Sequence, residues 1–377
     1  MTDSSQPRPR VLLAVTFYNG RGFAARTMET IAGLSHQGFD LDVLVLDDAS
    51  PEPGFSEYLE DLSRESGATY YRTPRNLGIP RNVNLGLATA RRLGYDYVVI
   101  SNSDVIYAAG SLEVLLKVAA SSPRAASVTA WSTNVDPYSL PNGTELYVET
   151  QEVADRIGAA LTTEFGTTAV EIPAGISFAM MVPVAVLDTV GLMDPVFGRG
   201  YGEESDWSAR ATNAGYDHLL AQGAFVYHAG RGSTLAAGVV TESDIADWRN
   251  QRIVDHRSPM FRWGVDGFLR SGVLEEAKIR AVRALITAAA AEAGYAVIDA
   301  FHDWDNINPA LVTVAIRSEA DELCTAHWCG FTTEIETDTI DVLGAIRSFF
   351  GGATPSYTNL RSATWEGADR FGYPVGL

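Results

Sequence analysis

Three clusters of acidic and polar side chains stand out along the chain: Asp47-Asp48-Ala49-Ser50, Asn102-Ser103-Asp104 and Glu203-Glu204-Ser205-Asp206-Trp207. The first two directly follow short runs of branched apolar residues, at 44–46 and 97–100. Such runs predict buried parallel strands, which puts both sets of carboxylates at strand C-terminal ends. In open α/β sheets, ligands bind at those ends. Acidic groups gathered round one crevice repel one another unless a cation or a proton transfer uses them. The pattern points to an enzyme acting on an anionic, metal-bridged ligand.

The elements that must hold these residues follow from the hydrophobic rhythm. Residues 11–17, 41–46, 69–72 and 95–100 read as strands, and 23–36, 55–66, 81–93 and 111–120 as helices. Gly67 and Gly94 stand where helix stops belong. Strands separated by helices imply βαβ units and a mostly parallel sheet. The rhythm is lost over 132–172, where Pro137, Pro141, Asn142 and Gly143 mark turns and 148–161 reads as a helix. That stretch has the character of an insertion or lid. Beyond it, 176–182 and 225–228 read as strands, and 184–190 and 205–214 as helices. A long helix over 273–293, a strand over 312–316 and a helix over 341–350 follow. The expected organisation is a disordered start over 1–10, an α/β domain over 11–266, and a smaller C-terminal α/β or α+β domain over 267–377.

Composition narrows the partners. A chain of 377 residues exceeds one ordinary core, and 46% hydrophobic with 20% charged residues is a soluble globular composition. A net charge of −19 argues against nucleic acid and against a polybasic grip on anionic lipid. Cys324 and Cys329, with His327 between them, lack the second ligand pair of a tetrahedral metal site and read as reduced thiols. The polar start has no apolar core of a secretion signal, and no apolar run approaches ~20 residues, so a cytoplasmic location is expected.

The ordered series Thr16-Phe17-Tyr18-Asn19, Asp47-Asp48-Ala49-Ser50, Asn76-Leu77-Gly78, Asn84-Leu85-Gly86, Asn102-Ser103-Asp104, Gly202-Glu203-Glu204-Ser205-Asp206-Trp207 and Val226-Tyr227-His228 resembles the family 2 glycosyltransferases. These are inverting enzymes of the GT-A fold that use nucleotide-diphosphate sugars. The resemblance spans about 10–264, ends on Arg262-Trp263-Gly264, and leans towards bacterial rhamnosyltransferase-like members. It implies a hexosyl-type transferase taking a UDP- or dTDP-sugar to a glycan or other hydroxyl acceptor. Under it, Asp48 binds the base, Phe17 and Asn19 frame the nucleoside, and Asn102 and Asp104 occupy the Asp-x-Asp metal motif. Asparagine replaces the first carboxylate there. His228 completes the site for Mg²⁺ or Mn²⁺. The family's catalytic base falls on Glu204, a glutamate in place of aspartate that reaches one methylene further. Glu203, Asp206, Trp207 and Gly175 belong with the acceptor.

The residues also carry readings of their own. Asp48, just past a strand, can accept a nucleobase N–H or cap the turn before Pro51. Residues 75–84 lead into a helix start suited to anions, with Pro80 in its first turn. There Arg81 pairs with the diphosphate or stays in a surface ion pair, and Asn76 and Asn84 hold the loop or touch the nucleotide. Trp207 offers either a sugar-stacking face or a core side chain. Two rivals stand beside a transferase: a sugar nucleotidyltransferase, whose phosphate loop is only partly matched by Gly20, Arg21 and Gly22, and a non-catalytic nucleotide-sugar-binding module. A dinucleotide-binding dehydrogenase is disfavoured, because no Gly-x-Gly-x-x-Gly follows the first strand. Phe349-Phe350 suggests a homodimer interface in the C-terminal region.

Overall fold

The computed structural model describes residues 7–140, 150–230, 248–299, 311–316, 323–337 and 341–359. Most of the expected disordered start and the chain after 359 lie outside these residues.

The chain runs β1 (Arg10–Phe17), α1 (Arg21–Ala32), β2 (Asp40–Asp47), α2 (Phe55–Glu65), β3 (Thr69–Arg72), α3 (Ile79–Leu93) and β4 (Tyr97–Asn102). β1 pairs parallel with β2 and β4, and β2 with β3. Its residues are apolar without alternation because helices cover both faces. Leu13, Val15 and Phe17 pack with Met28 and Phe55, while Leu12 and Ala14 pack with Val83 and Leu87. The strand order β3-β2-β1-β4 makes the β1/β4 edge a switch point, where a ligand crevice belongs. Register sets Phe17 beside Asp47 and Thr16 beside Asn102, so the first two polar clusters do lie at strand C-terminal ends.

The sheet continues with β5 (Val105–Tyr107), α4 (Ser111–Ser121), β6 (Ala125–Trp131), α5 (Gln151–Phe165), β7 (Ala169–Ile172), β8 (Ala179–Pro183), α6 (Leu187–Val190), α7 (Glu203–Asn213) and β9 (Asp217–His228). Its full order is β3-β2-β1-β4-β8-β6-β9-β5, with β7 on β9. β8 runs antiparallel to β4 and β6, and β5 and β7 run antiparallel to β9. The sheet is therefore mixed where a mostly parallel one was expected. An apolar run reports burial on both faces, which holds for β8 whichever way it points. β9 starts well before the expected 225, because buried polar residues interrupt its apolar pattern. Among them, His218 places Nδ1 2.7 Å from Ser127 Oγ and Nε2 3.0 Å from the Ser208 carbonyl.

Two helices without a sequence expectation, α8 (Trp248–Arg257) and α9 (Phe261–Arg270), complete this unit, which extends to Glu275 and so past the expected 266. The unit has the expected α/β architecture.

A second, smaller unit takes up at Glu276, within α10 (Val273–Ala293), and continues through β10 (Tyr295–Asp299), β11 (Val312–Ile316), β12 (Leu323–Trp328), β13 (Phe331–Glu336), α11 (Val342–Phe349) and β14 (Tyr357–Asn359). Its five-stranded sheet has the order β13-β12-β11-β10-β14. Phe350 stacks on Tyr295 with ring centroids 4.2 Å apart, and Phe349 meets Phe350 edge-on. Of the pair expected at an interface, Phe350 is buried in this unit and Phe349 is half-buried. Among the described residues, no helix is long and apolar enough to cross a membrane.

Candidate active site

Asp47 ends β2 and Asp48 directly follows it, and both are buried. Asp47 accepts hydrogen bonds from the Ser50 amide, Ser56 Oγ and Tyr70 Oη. Burial works to raise its pKa, but these donors outweigh it and hold the carboxyl below its usual range. Asp48 turns to the next loop. It takes the Thr73 hydroxyl and the Leu77 amide on Oδ1, and the Gly78 amide on Oδ2. Burial leads here, and its carboxyl lies above the usual range. Asp48 therefore anchors the 73–78 loop, and Oδ2 keeps capacity for one further donor.

Of the other expected nucleotide contacts, several turn out to hold backbone in place. Phe17 is fully buried against Phe55, so its ring presents no face to a ligand. Asn19 joins the first two loops: its amide donates to Ser50 Oγ at 2.8 Å, and its Oδ1 accepts from the Glu52 amide. Asn76 Oδ1 accepts from the Gly78 amide, and Asn84 binds both the amide and the carbonyl of Met193. Arg81 is exposed at the start of α3 and reaches the Leu77 carbonyl. Gly78 carries the loop past a neighbour: its φ is +80°, a side chain would overlap the Gly198 carbonyl, and the Ile79 amide donates to Arg199.

The second cluster meets the end of β9. β5 pairs antiparallel with β9 and sets Val105 opposite His228, which brings Asp104 to the imidazole. His228 Nε2 stands 3.2 Å from Asp104 Oδ1 and 3.0 Å from Asn102 Nδ2. Asp104 is 2% exposed, and its Oδ1 accepts no hydrogen bond. If Asn102 donates to Nε2, lone pairs of Nε2 and Oδ1 face each other with no proton between them. A cation resolves that opposition, whether a proton on the imidazole or a metal ion. Burial opposes the imidazolium, yet the Asp104 charge prevails and raises the His228 pKa, with Glu204 adding to it. Asp104 is held below its usual range, again against burial, by His228. One carboxylate, one imidazole and one amide suit a hard divalent cation that takes its remaining ligands from phosphate and water. Among the described residues, no group of three or more His, Cys, Asp or Glu side chains forms a complete metal cage.

The third cluster opens α7 behind Gly202, with Glu203, Glu204 and Asp206 in the first turn, where the helix dipole favours acids. Its members diverge. Asp206 is buried between Arg210 Nε and Arg257 Nη1, each at 3.0 Å, and clamps α7 to α8. Trp207 is 1% exposed, donates Nε1–H to the Gly191 carbonyl and meets His218 edge-on. Neither lines the cavity that Glu204 reaches, and both are held in structural contacts. Glu204 does reach one. Its Oε1 accepts from the amide and the hydroxyl of Ser177, and it lines a cavity of about 310 Å³ with Tyr138, Gly175, Ile176, Phe261 and Arg262. Burial raises its pKa against the Ser177 hydrogen bonds. Glu203 is 3% exposed, and its pKa is pushed up to about 8 by burial and by the neighbouring Glu204 charge. Gly175 is required by packing, since a Cβ would overlap Ser127 Oγ and Met180 Sδ.

Sequence reasoning passed over Asn250. Buried in α8, it donates Nδ2–H to the carbonyls of Phe197, Gly200 and Tyr201. Tyr201 has φ +65°, between two glycines that also have positive φ, directly ahead of Glu203. Asn250 thus holds the strained turn ahead of Glu204, and a lone asparagine between Arg249 and Gln251 carries no signal of that role.

The comparisons with known proteins bear on this site. No curated protein matches the chain. Among solved structures, it is similar to GalNAc-T7 with UDP, GalNAc and Mn²⁺, at 13% identity over 59% of this chain and 44% of that one, with a TM-score of 0.46. It is also similar to the mannosyltransferase PcManGT from Pyrobaculum calidifontis in complex with GDP-Man and Mn²⁺, at 18% identity over 76% of each chain, with a TM-score of 0.46. The chain spans less than half the length of the first. Residues 13–171, which carry Asp48, Asn102 and Asp104 but not Gly175, Glu204 or His228, match the family model described as Glycosyl transferase family 2.

Proposed function

We propose that the chain is an inverting glycosyltransferase that moves a sugar from a UDP- or dTDP-linked donor to an acceptor hydroxyl. The observation that carries this reading is the pairing of two sites. Asp104 and His228 face each other where β5 pairs with β9, and Glu204 opens onto a cavity of about 310 Å³. The match to Glycosyl transferase family 2 over 13–171 supports it. A divalent cation, Mg²⁺ or Mn²⁺, would be held by Asp104 and His228 beside Asn102 and would neutralise charge on the departing diphosphate.

The chain's own residues do the rest. The 73–78 loop, anchored on Asp48, presents backbone and the start of α3 to the nucleotide. Ser177 fixes the Glu204 carboxylate at the cavity wall. The acceptor oxygen attacks the anomeric carbon from the face opposite the nucleotide, while Glu204 takes its proton. The bond to the diphosphate oxygen breaks, and the configuration inverts. A carboxylate with a raised pKa is the stronger base for this step.

Glu204→Gln tests the assignment. With sugar donor, acceptor and Mn²⁺, nucleoside diphosphate release is expected to fall by about 10²–10⁴-fold. Donor binding, read as a thermal shift with and without Mn²⁺, is expected to persist. Full turnover in the variant would remove Glu204 from the mechanism.

A further inference from the structure

A second cavity, of about 740 Å³, lies against the one that holds Glu204. Pro173, Phe261 and Phe268 border both, so α9 forms the ridge where they meet. The volume falls within the range of small-molecule sites, about 300–1,000 Å³. Its basic side chains are already engaged: Arg124 on Asp217 at 2.7 Å, and Arg257 on Asp194 and Asp206 at 2.9 and 3.0 Å. His218, which also lines it, has both ring nitrogens in hydrogen bonds. Glu171 is solvent-exposed. Thr212, Asn213, Tyr216, Ser258 and Ser271 also line it, yet most of its surface is apolar, with Met260 73% exposed and Phe261 and Phe268 half-buried.

We infer that this groove binds an apolar aglycone, so that the acceptor is an amphiphile whose sugar hydroxyl sits at Glu204 and whose hydrocarbon part lies along α9. The inference rests on the transferase reading. It follows from continuity: a ligand at Glu204 that extends past Phe261 and Phe268 enters a larger cavity whose surface is mostly apolar, with Met260, Phe261 and Phe268 on the α9 side.

Gly264 gives the test. It lines the larger cavity and not the smaller one, and a Cβ built on it meets nothing within 4 Å. Gly264→Trp therefore fills the groove from a helical position without crowding the backbone. Methyl, phenyl and octyl glycosides of the same hexoses are offered with a sugar donor and Mn²⁺. Each fully buried methylene is worth roughly fourfold in affinity. Wild type is expected to use the octyl glycoside at least tenfold better than the methyl one in kcat/KM. Gly264→Trp is expected to erase that preference while leaving methyl-glycoside transfer and Tm unchanged. Preference for phenyl over octyl assigns the groove to aryl acceptors, and the reverse assigns it to lipid-like ones; either supports the inference. Equal use of all three glycosides, or an octyl preference that survives Gly264→Trp, overturns it. So does a wild-type dimer that Gly264→Trp makes monomeric, since a second copy would then fill the groove. Absence of nucleoside diphosphate release from any donor defeats the transferase reading instead. Saturation-transfer NMR of octyl glucoside then decides the groove by itself: signal lost in Gly264→Trp supports it, and equal or absent signal overturns it.

Discussion

Two adjacent glutamates take opposite roles through their surroundings. Glu204 has Ser177 as a donor and a cavity in front of it, whereas Glu203 is sealed in, and its Oε2 makes no hydrogen bond. A buried carboxyl without a donor is cheaper to keep protonated. Its folded pKa of about 8 stands above the ordinary 4.5, so the folded state binds a proton that the unfolded chain has released. The stability this brings is full below pH about 4.5 and is lost as pH rises towards 8. Glu203→Gln removes the dependence. Its Tm should match wild type near pH 4.5–5 and exceed it increasingly up to pH 8. Differential scanning fluorimetry across that range checks this, and a constant offset would contradict the assignment.

At the scale of elements, the site depends on α8 more than its sequence suggests. Asn250 donates to three carbonyls of the turn before α7. Asn250→Ala leaves buried acceptors unpaired, a cost of about 1–3 kcal/mol. Urea unfolding should register that loss, and turnover should fall at least tenfold because Glu204 is no longer aimed. Unchanged turnover would detach the turn from catalysis. The sequence announces the strand ends well, since the runs before Asp47 and Asn102 are apolar throughout and the helices between them stop at glycines. It announces the second half of the sheet poorly. β5 and β7 have three and four residues, too few for a period, and β9 carries His218 and Gln222 into the core. Among site residues, Asn102, Asp104 and His228 do converge. Phe17, Asp206 and Trp207 are of the expected types but lie buried in structural contacts, and a motif does not say which way its side chains face.

At the scale of the molecule, the chain has two units with separate cores. Ile346 is 1% exposed within the second. Ile346→Ala should cost that unit about 2–5 kcal/mol. Calorimetry is expected to show two transitions, with only one of them displaced by the substitution; a single cooperative transition would mean the units unfold together. Within the first unit, the contact of Gly78 with Gly198 has a consequence for how specificity can change. The loop ahead of α3 and the stretch ahead of α7 touch where no side chain fits. An insertion or bulkier residue in one displaces the other. On the proposed function, donor and acceptor preferences are therefore not separately inheritable, and a grafted loop ahead of α3 must bring its partner turn with it.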